Sequence, residues 1–500
     1  MVENNNEKEE YGNRVRDFYK GKSIFITGAS GFLGTVLLEI LLRCLPDVSK
    51  IYLLLRSKKD TSPEERKRLI FKKKIFRILL KENPDVVNKV KVVPGDIQES
   101  NLGMCDEDLK NVIQEVTIIF HVAAVISFFK PLRYSVINNC LGTWNVIELA
   151  RKLQKLDVLV YTSSAYSNCN RTVIEEHVYR LPFKAKRYMD ALSNDNCDEL
   201  ERLKNMIKPD FPNNYTFSKC LAENILNDFA KDLPVAIVRP SIIGSCWFEP
   251  FRGYVERGSG MVTLTMAVGK GFGRVLFVDP EQRFDLVPVD ISARCHIVSA
   301  WAVATKKLQS PLVVNNSGGP FRVTYDDFIS EMLLLSEMQV LPKGFSKPSC
   351  ACITNPILFQ IFNIYEHYLP AYCIDVYLKM RGNKFSLVKM YKFLDRVWLK
   401  MKYFLGRTFD FKMETYNQLS KLMDPRDTEI FSLDLHEVSL HKIIQSIPEA
   451  TDFFDWSQDT LAPEKRKEVL IRRARIISCL KITIIVVLVY LLHRIILLIL

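Results

Sequence analysis

The 500-residue sequence is poor in features that mark several large protein classes. It has only 20 Gly and 22 Pro, which excludes a collagen and a largely disordered chain. Its 12 Cys form no CxxC pair, and only Cys350 and Cys352 stand close together, so we expect a reducing compartment and no disulfide framework. The 7 His show no ligand spacing with Cys or acidic residues, and we expect no metal. Residues 1–10 are polar and lack the apolar core of a signal peptide.

The sequence is rich in both charge and apolar side chains. Charged residues make up 25% and hydrophobic residues 48%, and the formal net charge is +12. A basic balance favours phosphate-bearing ligands or an anionic membrane surface. The basic residues are dispersed or lie beside the apolar tail, and no nucleic-acid-binding motif is present, so we expect no nucleic-acid partner.

Short apolar runs alternate with helical patterns over the first half of the chain. This alternation predicts an α/β fold with a parallel, doubly wound sheet of the Rossmann type. The predicted strands are 23–27, 51–55, 89–93, 116–122, 157–161 and 235–239.

The pattern changes after about residue 345, where helical spacing dominates and strand signals are few. The apolar stretch 353–365 is interrupted by Asn and Gln, and we expect a core helix or an interface there. The expected organisation is a disordered lead-in (1–20), a dinucleotide-binding reductase domain (21–345), a helical domain (346–460), a basic stem (461–475) and a transmembrane tail (476–500).

A glycine-rich turn joins the first predicted strand to the first long helix. Gly28, Gly31 and Gly34 follow a GxxGxxG pattern, which permits a tight turn, a close approach to a pyrophosphate and packing of helix on strand. The position between strand and helix favours dinucleotide binding over an ordinary surface loop. The cofactor contacts expected in this turn are Thr27, Gly28, Ser30, Gly31, Phe32, Leu33 and Gly34.

The second strand ends at Arg56, where an NAD site usually carries an acidic residue. An arginine there can pair with a 2′-phosphate, and Lys58 and Lys59 add positive charge, so we expect NADPH. The alternative is a solvated basic loop. Further cofactor contacts are expected at the ends of later strands: Asp96 and Ile97, then Ala123 and Ala124.

Tyr215 and Lys219 lie four residues apart on a predicted helix, which puts them on one face. An ammonium beside a phenol lowers the phenol pKa and makes tyrosine a usable acid or base. Ser164, or Ser163 in reserve, closes the fifth strand and can hold a substrate carbonyl. Such Tyr–Lys pairs are usually ordinary surface chemistry, but this one precedes the sixth strand of a dinucleotide fold.

These residues resemble the extended short-chain dehydrogenase/reductase superfamily and, within it, the fatty acyl-CoA reductases. The resemblance runs from Lys22 to about Phe431. It rests on 22–34 (KSIFITGASGFLG), 52–56 (YLLLR), 121–124 (HVAA), 163–168 (SSAYSN), 215–219 (YTFSK), 238–242 (VRPSI), 287–290 (VPVD) with 300–301 (AW), and 369–372 (LPAY) with Asp375. The loop 253–260 departs from the family pattern, which puts the preferred acyl chain in question.

The resemblance implies two successive NADPH-dependent reductions of a long-chain acyl-CoA, through an aldehyde, to a primary alcohol. It also implies that Lys219 binds the nicotinamide ribose, that Asn138 or Asn139 completes a proton relay, and that Pro240 lies at the cofactor. Two other functions stay open at this point. One is another enzyme on the same frame, such as a hydroxysteroid dehydrogenase, and the other is a membrane-anchored binding protein without turnover.

The last 25 residues, 476–500, are long and apolar enough to span a bilayer. Lys481, His493 and Arg494 interrupt them, and a basic stem precedes them. We expect a single-pass C-terminal anchor with the catalytic domain in the cytosol, on the endoplasmic reticulum or the peroxisome. The alternatives are a buried core helix and a helix that dips into the membrane without crossing it.

Overall fold

The structure is a computed structural model that describes residues 14–58, 60–207, 211–256, 260–451 and 461–499. The chain forms two compact units, each assembled from separate segments. One unit comprises Met1–Tyr254, Asp285–Arg322 and Phe409–Ser439, and the other comprises Val255–Phe284, Val323–Thr408 and Leu440–Leu500. The chain enters the second unit three times, so the two units do not follow one another along the sequence. The division of the chain at residue 345 stays a prediction.

The first unit contains a seven-stranded, all-parallel sheet, which confirms the predicted fold class. Its strand order is β7-β6-β5-β4-β1-β2-β3, the order of a doubly wound Rossmann sheet with one added edge strand. The strands are β1 (Ser23–Thr27), β2 (Lys50–Leu55), β3 (Val90–Pro94), β4 (Ile118–His121), β5 (Val158–Thr162), β6 (Val235–Pro240) and β7 (Leu312–Asn316). Sequence reasoning located β1 to β6 and missed β7.

The central strands are apolar because both faces of the sheet are covered. All five residues of β1 and of β5 are buried, and successive side chains of a strand point to opposite faces.

Helices are numbered in chain order through both units. Those of the first unit are α1 (Val15–Tyr19), α2 (Phe32–Cys44), α3 (Pro63–Phe71), α4 (Arg77–Glu82), α5 (Asp106–Glu115), α6 (Leu132–Val136), α7 (Gly142–Lys152), α8 (Ala185–Ser193), α9 (Cys197–Ile207), α10 (Asn214–Phe229), α12 (Val289–Ala304), α17 (Glu414–Leu422) and α18 (Pro425–Ile430).

The helix α1 differs from the disordered lead-in expected for residues 1–20. Residues 1–13 lie outside the described residues, but Val15 and Tyr19 are buried. The Tyr19 hydroxyl donates to the carbonyl of Ile297 (2.9 Å), and the amide of Val15 donates to the Asp427 carboxylate (2.7 Å). These partners are distant in sequence, so a local reading of a polar segment could not find them.

The second unit is largely helical. Its helices are α11 (Gly260–Gly269), α13 (Tyr325–Met338), α14 (Pro356–Asn363), α15 (Leu369–Met380), α16 (Leu387–Leu405), α19 (Leu440–Ala450) and α20 (Pro463–Ile499). A π-helical turn, Ile364–Tyr368, joins α14 to α15, so that the two form one helical run. Two-residue and three-residue strands pair within each unit: 242–244 with 286–288 and 173–174 with 410–411 in the first, and 275–277 with 351–353 and 283–284 with 323–324 in the second.

The C-terminal helix α20 contains the apolar tail. Its best 18-residue window has a mean hydropathy of 2.4, and the helix is long enough to cross a bilayer. Only a small part of that window is buried within the protein, which separates it from a core helix. The tail is therefore a candidate membrane anchor.

Candidate active site

The glycine turn lies at the carboxyl end of β1, beside the end of β4. Gly28 has a φ of 79°, and a Cβ there would lie 2.6 Å from the amide nitrogen of Ala123. A Cβ on Gly34 would lie 2.3 Å from the carbonyl oxygen of Gly28. Both positions therefore require glycine for the turn itself, before any ligand is considered.

Gly31 meets a different requirement. The one atom of the described residues near its would-be Cβ, apart from its chain neighbours, is the Gly28 carbonyl oxygen at 3.3 Å. Gly31 also immediately precedes α2, whose first turn presents free backbone N–H groups. An open backbone beside a helix N-terminus fits a dinucleotide pyrophosphate. Ser30, Phe32 and Leu33 complete this turn.

Two cationic side chains contact this turn, and sequence reasoning missed both of them. Arg66 on α3 donates to Ser30 Oγ (2.8 Å) and to the Arg56 carbonyl (2.7 Å). Lys73 donates to the Ser30 carbonyl (3.1 Å) and to Thr35 Oγ1 (2.7 Å). Burial, with the charge of Arg56, lowers the pKa of Arg66. Both residues lie in a stretch with many charged side chains, so neither stands out in the sequence. The signal that could have identified them is the position of α3, which follows the carboxyl end of β2 in the chain.

The end of β2 joins this cationic cluster. Arg56 Nη1 donates to Asp96 Oδ2 (3.1 Å), and its side chain stays about half exposed. The structure thus brings together Arg56 and Asp96, as their positions at neighbouring strand ends predict. Ile97 follows Asp96, and its side chain packs against Gly142 at the start of α7. Lys59, which the sequence analysis counted among the positive charges after β2, lies outside the described residues.

A buried polar chain links β1 to β4 under the turn. Thr27 Oγ1 lies 2.7 Å from His121 Nδ1 and accepts from the Ala123 amide (3.3 Å). His121 Nε2 lies 3.2 Å from Thr143 Oγ1. Burial, with the charge of Lys219, lowers the pKa of His121 to about 3, so the imidazole is neutral at physiological pH. Ala123 and Ala124 follow directly and are partly buried.

The two asparagines lie on a π-helical turn, Ile137–Leu141, and their side chains have different partners. Asn138 accepts from Gln98 Nε2 (3.2 Å), so it faces the segment that carries Asp96. Asn139 donates to Ser218 Oγ (2.9 Å) and accepts from the Val125 amide (2.8 Å), which ties α10 to the loop after β4. Among the described residues neither side chain bonds Tyr215 or Lys219 directly.

The catalytic candidates lie around α10 and the end of β5. Ser164 lies close enough to Tyr215 for its side chain to lower the pKa of the phenol. Lys219, one turn later, is only 2% exposed and donates to the Thr162 carbonyl (2.6 Å) and to the Tyr161 hydroxyl (3.3 Å). The structure therefore brings together Ser164, Tyr215 and Lys219 at the carboxyl end of β5.

The pKa of Tyr215 differs from the sequence expectation. Burial raises it to about 12, and the hydrogen bond with Ser164 opposes that rise. The expected lowering by Lys219 is not seen, because the ammonium is directed at Thr162 and Tyr161 instead. Burial in turn lowers the pKa of Lys219 to about 7. Tyr215 thus holds its proton at neutral pH, as a proton donor must.

The two serines are distinguished by their partners. Ser163 Oγ donates to the Glu223 carboxylate, which also accepts from Ser167 Oγ (2.9 Å). Arg239 completes this buried group with two hydrogen bonds to Glu223, of 2.8 Å and 2.7 Å. Ser163 thus belongs to a structural network, and Ser164 is the serine that contacts Tyr215. Pro240, next to Arg239, ends β6 and is buried.

The fold and this site define a Rossmann-type oxidoreductase that binds a nicotinamide dinucleotide. Family models described as male sterility protein match residues 26–296, the NAD-binding region, and residues 366–448. Fatty acyl-CoA reductase 1 from Xenopus laevis is 32% identical over 425 residues, covering 85% of this chain and 82% of that one. Fatty acyl-CoA reductase 2 from Homo sapiens is 30% identical over 459 residues, covering 92% and 89%. The chain belongs to the fatty acyl-CoA reductase family.

Solved structures support the fold. The reductase domain of a non-ribosomal peptide synthetase from Mycobacterium tuberculosis superposes with a TM-score of 0.56 at 18% identity, covering 86% of this chain and 91% of that one. The terminal R domain from the myxalamid biosynthetic pathway gives 0.55 at 19% identity, covering 86% and 90%. Within the described residues, no group of three or more His, Cys, Asp and Glu side chains could hold a metal ion.

Proposed function

We propose that this protein reduces long-chain fatty acyl-CoA to a primary alcohol with NADPH and releases CoA. Membership in the fatty acyl-CoA reductase family supports the substrate class and argues against a hydroxysteroid dehydrogenase. The observation that carries the mechanism is the position of Ser164 near Tyr215 at the end of β5, with buried Lys219 one turn further along α10.

The substrate carbonyl is held and protonated by this chain's own side chains. When bound, the cofactor supplies a hydride. The Ser164 hydroxyl and the Tyr215 phenol bind the thioester carbonyl oxygen, and Tyr215 gives that oxygen its proton as negative charge develops there. The product is a hemithioacetal, whose carbon–sulfur bond breaks to give an aldehyde and CoA thiol.

The same side chains serve the second reduction. The aldehyde oxygen takes the place of the thioester oxygen between Ser164 and Tyr215, and it leaves as the hydroxyl of a primary alcohol. The net reaction consumes two NADPH and two protons for each acyl-CoA. Lys219 binds the ribose hydroxyls of the cofactor and stabilises the phenolate that Tyr215 becomes between proton transfers. Asn138 or Asn139 returns the proton.

The cationic cluster at the end of β2 supports NADPH over NADH. Arg56 presents a partly exposed guanidinium, and Arg66 lies against its carbonyl. Guanidinium groups pair with phosphates in two-point geometry, which suits the 2′-phosphate of NADPH. Asp96 is already paired with Arg56 and so is a weaker acceptor for the 2′-hydroxyl of NADH.

The candidate anchor supports a single-pass protein with both units on the cytosolic side. The basic residues of 465–475 precede the apolar part of α20, and positive residues favour the cytosolic flank of a membrane helix. The endoplasmic reticulum and the peroxisome are the membranes proposed. The proposed organisation places the reductase region at 21–345, the helical region at 346–460, the basic stem at 461–475 and the membrane tail at 476–500.

The test is a product assay on the purified full chain in detergent with a panel of acyl-CoAs of different length. We expect fatty alcohol, two NADPH oxidised per alcohol, and much weaker turnover with NADH. An aldehyde end product with one NADPH oxidised per acyl-CoA would contradict the second reduction. A failure to oxidise NADPH with any acyl-CoA, while the cofactor still binds, would contradict the proposed substrate class.

A further inference from the structure

The helical unit carries a long apolar face that the fold leaves exposed. It belongs to the continuous helical run of α14, the π-helical turn and α15. Ile357 is 70% exposed and Val376 is 60% exposed, at opposite ends of the run. The exposed apolar residues of this face are Ile357, Leu358, Ile361, Phe362, Ile364, Tyr372, Val376, Tyr377 and Met380. We call this set the apolar face. Contiguous exposed surfaces of this kind mark interaction sites.

No charged side chain between 356 and 378 is available to solvate this face. Glu366 accepts from Arg274 Nε (2.7 Å), and Asp375 accepts from the amides of Leu387 (2.7 Å) and Val388 (3.2 Å) at the start of α16. His367 is buried, and its Nδ1 lies 2.7 Å from Asn363 Oδ1. The two carboxylates and His367 thus have partners within the helical unit, while the apolar side chains of the face stay exposed. This is the reverse of a soluble helix.

The apolar face adjoins the helix that carries the membrane anchor. Lys481 on α20 is 4% exposed and donates to Glu366 Oε1 (2.8 Å), in the middle of the run. Its ammonium also lies 4.3 Å from the centre of the Tyr365 ring. Between Ile482 and Leu497 nearly all side chains of α20 are exposed, and most of them are apolar. The anchor therefore leaves the protein directly beside the apolar face.

A short group of cations borders the end of the run. Lys379, Arg381 and Lys384 are all exposed and follow the last apolar turn. An apolar helix face flanked by lysine and arginine is typical of helices that lie in the interfacial region of a bilayer. These charges would repel their copies in a symmetric pairing of two such faces, which disfavours a second chain as the occupant.

We propose that the apolar face of α14 and α15 docks into the cytosolic surface of the lipid bilayer beside the point where α20 enters it. The protein then contacts its membrane in two ways, by a spanning tail and by an interfacial helical run. The interrupted apolar stretch 353–365, expected from sequence to be core helix or interface, is an interface.

The test uses the full chain reconstituted into vesicles of phosphatidylcholine and phosphatidylserine. Ile357→p-benzoylphenylalanine and Val376→p-benzoylphenylalanine place a photo-crosslinker at the two ends of the face, where exposed positions tolerate it. Leu334→p-benzoylphenylalanine is the matched control, because Leu334 is an exposed leucine on α13 outside the apolar face. Irradiation should give roughly tenfold more lipid adduct at 357 and 376 than at 334.

Two results would overturn the proposal. One is a lipid adduct at 357 and 376 no stronger than at 334, and the other is a covalent dimer of two protein chains at those positions. Carbonate extraction of the same vesicles reports on the tail separately, so a failed anchor is distinguished from a failed docking surface. Alcohol formation in detergent, measured on the same preparations, is independent of both.

Discussion

Among the described residues, each compact unit buries one lysine, and the two lysines have opposite surroundings. Lys481 in the helical unit donates to the carboxylate of Glu366, which Arg274 also contacts. Although burial alone would raise it, the hydrogen bonds from Lys481 and Arg274 lower the pKa of Glu366. Lys219 in the sheet unit donates to two neutral oxygens, and no carboxylate of the described chain lies within salt-bridge distance of it.

We propose that the difference separates a structural charge, Lys481, from a functional one, Lys219. A buried ammonium without a carboxylate partner costs free energy, and a fold retains it where the charge acts on something else. Lys219 lies one turn after Tyr215 on α10, whereas Lys481 bonds α20 to Glu366. The comparison predicts that loss of Lys219 mainly reduces activity and that loss of Lys481 mainly reduces stability.

The largest expected effect is on turnover in Lys219→Met. The proposed mechanism assigns this ammonium a contact to the cofactor ribose and the stabilisation of the Tyr215 phenolate, and the substitution removes both. We expect kcat/KM for acyl-CoA reduction to fall by about 10³-fold, equivalent to about 4 kcal/mol of transition-state stabilisation. Lys481→Met in the same detergent assay should stay within roughly threefold of the parent. Equal losses of kcat/KM in Lys219→Met and Lys481→Met would contradict the distinction between a functional and a structural lysine.

The next effect is on stability in Lys481→Met. The substitution leaves Glu366 with Arg274 as its remaining cation, so the cost should be less than the 3–5 kcal/mol typical of a broken buried pair. We expect the free energy of unfolding to fall by about 2 kcal/mol. Thermal unfolding of the full chain in detergent measures it, with Lys442→Met at an exposed position of α19 as the control. An unchanged midpoint in Lys481→Met would contradict the structural role.

The smallest effect is a pH dependence of stability. The pKa of Lys219 is about 7 in the folded protein, against 10.5 for its ordinary value. Between these two values the unfolded chain holds a proton that the folded chain has released, so the Lys219 contribution to stability rises with pH. Lys219→Met should therefore be more stable than the parent below pH 7, and this advantage should shrink towards pH 10. An advantage that grows with pH would contradict the burial of an uncompensated ammonium.

The parts of the fold predicted from sequence are those that local patterns determine. Strands β1, β2, β4, β5 and β6 are mostly runs of buried apolar residues, and the glycine turn is fixed by its own backbone contacts at Gly28 and Gly34. Strand β7 ends in two asparagines and lacks that signal. Asn315 is satisfied by the carbonyls of Ile174 and Lys412, which tertiary contacts alone provide.

The candidate site shows the same division. The i, i+4 spacing located Tyr215 and Lys219, and the position of β5 located Ser164. The direction of the Tyr215 pKa could not be predicted, because it depends on how deeply the phenol is buried and where Lys219 points. Arg66 and Lys73 were indistinguishable from other charges in their stretch until α3 was placed beside the turn.

The central claim is that Tyr215 gives its proton to the substrate oxygen while Ser164 holds that oxygen. The direct measurement is single-turnover formation of alcohol by Tyr215→Phe with saturating NADPH and acyl-CoA, beside Tyr325→Phe as a buried tyrosine on α13, outside the catalytic group. We expect a loss of at least about 10³-fold in Tyr215→Phe with cofactor affinity retained, and near-parental rates in Tyr325→Phe. Full activity in Tyr215→Phe would contradict it.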